Sequence, residues 1–125
     1  MKDGKNVILA IDDDEDVIYS LRMVVENNGY EMVEAYTAEE GLRKYKQHAP
    51  DLIIVDLMME SVDAGKNFVK ELKLLGNTAP IYMLSSVGNA LASNIDYKDL
   101  GLDGVFQKPI ETKTLLKTLE KKLKQ

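Results

Sequence analysis

The sequence contains no cysteine among its 125 residues, and no apolar run in it approaches the length of a membrane span. Without cysteine, the chain can form neither a disulfide framework nor a zinc–thiolate site. A membrane-spanning helix needs roughly 20 consecutive apolar residues, and a signal peptide needs an apolar segment near the amino terminus. The sequence has neither. We therefore expect a cytoplasmic protein that does not insert into membranes.

Short motifs for nucleotide and calcium binding are missing as well. No G-x-G-x-x-G pattern follows the first apolar run, and no Walker A motif occurs. Asp12, Asp14 and Asp16 alternate as the ligands of an EF-hand loop do. That loop also requires glycine at its sixth position and glutamate at its twelfth, where Val17 and Met23 stand. A Rossmann-type nucleotide binder, a P-loop protein and an EF-hand are therefore excluded.

Charge is distributed unevenly along the chain. The net charge is −5 at pH 7, but from Lys108 to the carboxyl terminus six lysines and two glutamates give +4, which leaves −9 for the rest. An acidic body argues against nucleic acid as a direct partner, since phosphate backbones attract basic surfaces. Leu115, Leu119 and Leu123 interrupt the lysines at helical spacing. We predict that these lysines form the solvated face of a helix.

Length and composition are those of one globular domain. Hydrophobic residues make up 45% of the chain and charged residues 30%, which is ordinary for a folded protein. No linker, internal repeat or low-complexity segment interrupts the sequence. We therefore expect a single domain over residues 1–125, with its core over about 6–123.

Five short apolar runs alternate with helical patterns. The runs predicted as strands are 7–11, 30–35, 52–56, 81–84 and 105–107. The first two predicted helices cover 14–28 and the segment from Thr37 to just before Pro50. The third follows a loop through Gly65, carries Leu75 on its apolar face and ends at Gly76. A fourth covers 88–100, and the last follows Pro109. Strands and helices that alternate over short loops predict an α/β fold, in which a parallel sheet carries helices on both faces.

The segment LIIVD, residues 52–56, is the run around which the chain is organised. Four aliphatic residues in succession are typical of a strand buried on both faces, which needs no polar alternation. In an open parallel sheet, ligands bind in the crevice beyond the carboxyl ends of the strands. Asp56 ends this strand, and an acid in so apolar a setting needs a partner there.

Other polar residues follow neighbouring strands: Asp12 and Asp13 after the first, Ser85 after the fourth and Lys108 after the fifth. Three carboxylates in one place repel one another, and a hard divalent cation such as Mg²⁺ relieves that repulsion. Lys108 and Ser85 can each hold an oxygen of a phosphoryl group. Because a carboxylate beside a bound metal can act as a nucleophile, the pattern predicts an aspartyl phosphate on Asp56.

The segments ILAIDDDED, PDLIIVDLMM, PIYMLSS and GVFQKPI, in this order and spacing, resemble the receiver domain of two-component response regulators. The resemblance covers about residues 6–123. It implies a flavodoxin-like (βα)5 fold, doubly wound, with strand order 2-1-3-4-5. It also implies a signalling module of a phosphorelay, which promotes its own phosphorylation and dephosphorylation without being a dedicated enzyme.

The same resemblance assigns roles to individual residues. The Mg²⁺ ligands that it implies are Asp13, Asp12, Asp56 and the backbone carbonyl of Met58. Asp13 matches a direct ligand of the family, and Asp12 its partner, which binds directly or through water. Asp56 also matches the phosphoacceptor, Ser85 the hydroxyl switch residue and Lys108 the lysine of the family site.

The implied phosphodonor is a phosphohistidine on a sensor histidine kinase or a histidine phosphotransfer protein. Phosphorylation is expected to switch the surface formed by the fourth strand, the predicted fourth helix and the fifth strand. That surface would meet a downstream protein target, which the sequence does not identify. The oligomeric state implied is a monomer or a phosphorylation-dependent dimer.

The sequence departs from the family pattern in two places. Glu60 stands where the family usually has proline, and Asp63-Ala64-Gly65 stands where it usually has Asp-Gly, so we expect a reshaped loop after Asp56. Val105 occupies the position of an aromatic residue that turns inward on activation in many relatives. This argues against an aromatic rotamer switch here. Phe106 should point to the opposite side of the strand, since side chains alternate.

Two other functions fit parts of the pattern. A metal-dependent phosphohydrolase with an aspartyl nucleophile commonly needs a second acid two residues later, and Met58 cannot protonate a leaving group. A receiver-like module that binds a partner without being phosphorylated stays open. Exposure to a small phosphodonor with Mg²⁺ distinguishes it from a phosphoacceptor.

Overall fold

The structure, a computed structural model, describes residues 4–56, 62–86, 101–108 and 110–123, without the side chains of 62–66 and 86. Its strands are β1 (Val7–Ile11), β2 (Glu31–Ala35), β3 (Leu52–Asp56), β4 (Ile81–Ser86) and β5 (Gly104–Lys108). The helices of the described ranges are α1 (Glu15–Glu26), α2 (Ala38–His48), α3 (Val62–Leu74) and α4 (Thr112–Leu123). The helix predicted over 88–100 lies outside the described residues.

The five strands form one parallel sheet in the order β2-β1-β3-β4-β5. Beside the central strand β3, β1 is paired with both β2 and β3, so that Ile8 lies next to Met32 and Leu52. The chain therefore starts near the centre, builds one edge and returns to build the other. This order confirms the predicted doubly wound, flavodoxin-like fold. It places the carboxyl ends of β1, β3, β4 and β5 side by side at one end of the sheet.

Side chains of the central strands alternate between two hydrophobic cores, one on each face of the sheet. On one face, residues such as Ile8 and Ile54 pack with α1 and α4. On the other face, Leu9 and Ile53 pack with α2 and α3, including the buried ring of Phe68. Every residue of β1 and β3 is buried, as predicted for β3, because helices cover both faces.

Capping residues and a glycine mark the helix ends. The Asp14 side chain accepts a hydrogen bond from the backbone N–H of Asp16 and caps α1. Thr37 Oγ1 accepts one from the N–H of Glu40 at 3.0 Å, which confirms the predicted start of α2. Gly76, at a φ of 79°, follows α3 in the left-handed conformation that glycine adopts without strain.

Two predictions about α3 are wrong. The sequence predicts a loop through Gly65, but the helix begins at Val62. A glycine costs a helix only about 1 kcal/mol relative to alanine, and burial of side chains such as Phe68 further along outweighs that cost. The helix ends one residue before Leu75, which is 45% exposed and not part of the apolar face.

Gly41 lies where α2 touches the sheet. A Cβ atom here would be 2.7 Å from Ile11 Cδ1 and 3.1 Å from Phe68 Cε1, both in buried side chains.

Overpacking a core costs about 1–3 kcal/mol, while exchange of glycine for alanine in a helix gains about 1 kcal/mol. We expect Gly41→Ala to lower the free energy of unfolding by about 1 kcal/mol in urea denaturation. Lys46→Ala, at an exposed position of α2, should change it by less than about 0.5 kcal/mol. A more stable Gly41→Ala would contradict the close approach.

Candidate functional site

Polar side chains from four strands lie at the carboxyl end of the sheet. Asp12 and Asp13 follow β1, Asp56 ends β3, Ser85 is next to last in β4 and Lys108 ends β5. The strands that carry them are direct neighbours in the order β1-β3-β4-β5. The sheet therefore brings five residues that the sequence predicts for one site to the same end of the fold.

The carboxylates of Asp12, Asp13 and Asp56 form a compact cluster, in which one oxygen of each lies within 4.8 Å of the others. Asp12 is fully buried and Asp56 is 7% exposed, whereas Asp13 faces solvent. The backbone N–H of Asp14 donates to Asp12 Oδ1 at 2.9 Å, and the N–H of Asp12 donates to the carbonyl oxygen of Ala35 at 3.1 Å. These bonds fix Asp12 between the end of β1 and the start of α1.

Lys108 reaches two of these carboxylates from β5. Its Nζ lies 2.9 Å from Asp12 Oδ2 and donates a hydrogen bond to Asp56 Oδ2 at 3.3 Å. The contact with Asp12 is an ion pair, and within the described residues that oxygen has no other polar partner. Burial lowers the pKa of Lys108, but the Asp12 and Asp56 carboxylates more than offset this, so its pKa is raised overall. The ammonium is therefore held in its charged form between two acids.

The charges of this cluster do not cancel. Three carboxylates and one ammonium leave two formal negative charges, at a site where Asp12 is fully buried. Carboxylates gathered in one place repel one another, and ligand sets made of oxygen alone suit hard divalent cations. The Asp12 oxygen that has Lys108 as its one polar partner in the described part of the chain, together with the solvent-facing Asp13, thus fits a small divalent cation such as Mg²⁺.

Ser85 is 4% exposed and lies beside Gln107 of β5 in the strand register. Because side chains alternate along β4, it belongs to the same face of the sheet as Met83. Met58, predicted to complete the metal shell, lies outside the described residues, as does Glu60. Residues 63–65 belong to α3, so they do not contribute to the loop that we predict to be reshaped.

Val105 and Phe106 lie on opposite faces of β5, as the alternation predicts. Val105 is half-buried against the core that contains Met83, whereas Phe106 is buried in the other core. Phe106 stacks on Tyr82 with ring centroids 5.1 Å apart. Gly104 is paired with Tyr82, and a Cβ atom there would come within 2.7 Å of the ring. The sequence alone did not reveal this aromatic pair, because its signal, a glycine opposite an aromatic residue, depends on the register.

A second polar group that sequence reasoning missed links α1 to β2. The guanidinium of Arg22 pairs with Glu34 and lies 2.8 Å from Glu26 Oε2. The Tyr36 hydroxyl donates to the other Glu34 oxygen, and this bond raises the pKa of Tyr36 to about 12. The group links the second half of α1 to the end of β2. Spacing indicates only the Arg22–Glu26 pair within α1, because Glu34 and Tyr36 come from a second part of the chain and meet Arg22 only in the fold.

Comparison with known protein families identifies the kind of protein that carries this site. The family described as "Response regulator receiver domain" matches residues 8–120. The chain belongs to this family. The matched range contains the whole acidic cluster with Ser85 and Lys108. It therefore is a receiver domain of a two-component response regulator, a class of signalling module whose members interact with histidine kinases and downstream targets.

Relatives of this receiver domain include proteins of different length. Chemotaxis protein CheY of Bacillus subtilis (strain 168) is 32% identical over 117 residues, which are 93% of this chain and 96% of that protein. The alkaline phosphatase synthesis transcriptional regulatory protein PhoP of the same organism is 32% identical over 102 residues, 82% of this chain and 42% of that protein. The chain thus spans nearly all of one relative and less than half of the other.

A solved structure agrees with the fold. Chemotaxis protein CheY4 of Vibrio cholerae superposes with a TM-score of 0.83 at 29% identity, over 95% of this chain and 99% of that one. The receiver fold is therefore shared over nearly the full length of both chains. Across the residues that the structure describes, no helix is both long and apolar enough to span a membrane.

Proposed function

We propose that Asp56 accepts a phosphoryl group from a phosphohistidine, carried by a sensor histidine kinase or a histidine phosphotransfer protein. The observation that carries the proposal is the position of Lys108, whose ammonium lies 3.3 Å from Asp56 Oδ2 and 2.9 Å from Asp12 Oδ2. A fixed cation beside the acceptor carboxylate, among further acids, is the kind of arrangement on which phosphoryl transfer depends, because positioning and charge neutralisation supply most of its catalysis.

In the proposed transfer, one carboxylate oxygen of Asp56 attacks the phosphorus of the donor. A P–O bond forms as the P–N bond to the imidazole breaks, and the electron pair of that bond stays with the departing nitrogen. Lys108 and Ser85, from the two strands next to β3 on this side of the sheet, bind oxygens of the transferred group. Their hydrogen bonds stabilise its negative charge.

Mg²⁺ is the proposed cofactor, held by Asp13, Asp12, Asp56 and the backbone carbonyl of Met58. When bound, it supplies positive charge beside the phosphoryl oxygens. The Asp14 N–H fixes Asp12 for this role, and the exposure of Asp13 keeps the cluster open to solvent. The part given to Met58 follows the family pattern.

Phosphorylation is proposed to draw Ser85 toward the phosphate and so to change the surface around β4 and β5, where a downstream protein target binds. Ser85 is buried within β4, so on this proposal a change in what its hydroxyl binds alters the packing around the end of that strand. Val105 leaves no aromatic ring at this position to turn inward. The responding protein acts as a monomer or as a phosphorylation-dependent dimer.

The proposed extent of the receiver domain is residues 1–125. The CheY relative, which the chain matches over 96% of its length, supports this extent. On this proposal the protein modifies itself and is not a dedicated enzyme. Its output is contact with another protein and not the turnover of a substrate.

Incubation with acetyl phosphate or phosphoramidate and Mg²⁺ tests the proposed function, with intact-mass spectrometry as the readout. Wild-type protein should gain one phosphoryl group. The gain should vanish in Asp56→Asn, because an amide oxygen is not a competent nucleophile. Omission of Mg²⁺ should slow labelling by at least about tenfold, the effect of about 1.4 kcal/mol on the barrier.

Asp103→Asn is the matched control for this experiment. Asp103 Oδ2 accepts a hydrogen bond from the N–H of Ile81 at 2.8 Å, and an asparagine oxygen can accept the same bond. This variant should be labelled like wild type. Labelling of Asp56→Asn would contradict the assignment of the phosphoacceptor. A wild-type protein that stays unmodified would favour a receiver-like module that binds its partner without phosphorylation.

A further inference from the structure

An open groove lies between α1 and α4, on the face of the sheet that these two helices cover. Its cavity volume is about 390 Å³, and small-molecule sites typically measure about 300–1,000 Å³. On the opposite face α2 and α3 contact each other, whereas α1 and α4 make few contacts. The groove therefore opens part of the core that contains Ile8 and Ile54 to solvent.

The walls of the groove are apolar along most of its length. The α1 wall consists of Val17, Ser20, Leu21 and Val24, which have the i, i+3, i+4 and i+7 spacing of one helix face. Leu115 lines the groove from α4. Leu21 and Leu115 are buried in the core, and the two valines are partly buried against it. Ser20 is exposed, and its small side chain leaves the middle of the groove open.

The groove is polar at one end. Asp16 near the start of α1, Lys108 at the end of β5 and Thr112 at the start of α4 all line it. These three residues lie at the carboxyl end of the sheet, because α1 and α4 each begin where the preceding strand has ended. A molecule that matches this groove has an apolar body and one polar group at its end.

The polar end of the groove carries negative charge. The ammonium of Lys108 is already held by Asp12 and Asp56. The Asp16 carboxylate is exposed and makes no ion pair within the part of the chain that the structure describes. The neighbouring acidic cluster keeps two formal negative charges after Lys108 is counted. A positively charged end group is therefore attracted to this end, and an anionic one is repelled.

We propose that this groove binds a small amphipathic amine, whose apolar body packs between α1 and α4 and whose ammonium pairs with Asp16. Removal of apolar surface from water on both sides supplies most of the binding free energy. The ion pair adds less, because Asp16 is exposed, and mainly selects the charge of the ligand. The proposal rests on the groove and does not depend on phosphorylation of Asp56.

Phenethylamine is the probe, compared with the neutral phenethyl alcohol and the anionic phenylpropionate. Shifts of the backbone amide signals in NMR titrations measure each affinity. Wild-type protein should bind the amine with a Kd of about 0.1–1 mM, as a ligand with about ten non-hydrogen atoms does in an apolar site. The alcohol should bind roughly threefold more weakly, the contribution of an exposed ion pair, and the anion more weakly still.

Variants of the two walls test the position and the charge of the ligand. Ser20→Leu should weaken binding of amine and alcohol by at least about tenfold, because its side chain fills the groove. Ser20→Ala is the matched control and should bind like wild type. Asp16→Asn should reduce the affinity for the amine to that for the alcohol. Glu39→Gln, which removes an exposed acid from the first turn of α2, should keep the preference for the amine.

Four results would overturn the proposal. The first is the absence of shifts with all three compounds at about 10 mM, well above the expected Kd. The second is tighter binding of phenylpropionate than of the amine. The third is a larger loss of amine binding in Asp13→Asn than in Asp16→Asn, which would place the amine on the acidic cluster. The fourth is a wild-type dimer in sedimentation that Ser20→Leu loses, because the groove would then bind a second copy of the chain.

Discussion

Lys108→Met should lower the free energy of unfolding by about 2 kcal/mol in buffer without divalent cations. Removal of one partner from a buried ion pair costs about 3–5 kcal/mol, and the 21% exposure of the Lys108 side chain reduces that cost through solvent screening. The pKa of Lys108 is raised in the fold. Its contribution is therefore present in full at neutral pH and is lost only as the pH rises through that raised pKa.

Urea denaturation at pH 7 measures this effect, and a double-mutant cycle with Asp12→Asn assigns it. If the variant loses stability through the ion pair, Lys108→Met should lower the free energy of unfolding by at least about 1 kcal/mol less in the Asp12→Asn background than in wild type. Lys70→Met, at an exposed position of α3, is the control and should stay within about 0.5 kcal/mol of wild type. A cost that persists unchanged beside Asp12→Asn would assign the role of Lys108 to packing of its hydrocarbon chain.

Mg²⁺ at one hundred times its Kd should raise the free energy of unfolding of the wild-type protein by about 2.7 kcal/mol. The reason is mass action, since a ligand that binds only the folded state shifts the folding equilibrium toward that state. Asp13→Asn should lose most of that gain, since Asp13 is the exposed member of the acidic cluster. Without Mg²⁺ the variant should be at least as stable as wild type, because one of three mutually repelling carboxylates is gone.

Thermal and urea unfolding at increasing Mg²⁺ concentration check this second prediction. Asp14→Asn is the matched control, because it removes the same charge from a neighbouring position outside the cluster. The Asp14 side chain caps α1, and asparagine caps helices equally well. The control should keep the Mg²⁺ gain. A gain that survives in Asp13→Asn would contradict the proposed metal site, and an equal loss in both variants would mean that net charge governs Mg²⁺ binding.

The sequence by itself determined the strands, their parallel arrangement and the residues at the end of the sheet. The apolar run 52–56 predicts β3 to the residue, because a strand covered on both faces is apolar until it emerges from the core. Thr37 and Glu40 predict the start of α2, since capping is a local interaction. Parallel strands end on the same side, so Asp12 and Lys108 could be assigned to one site although they are far apart in the chain.

Only the tertiary structure decided which atoms meet at that site. The distances from Lys108 Nζ to Asp12 and Asp56 depend on side-chain rotamers and on the pairing of four strands in the sheet. No local sequence pattern encodes either. The stacking of Phe106 on Tyr82 depends on the register of β4 and β5. Periodicity specifies which face a side chain takes, because the backbone repeats. The contacts across elements follow from packing, which is settled only when the whole chain has folded.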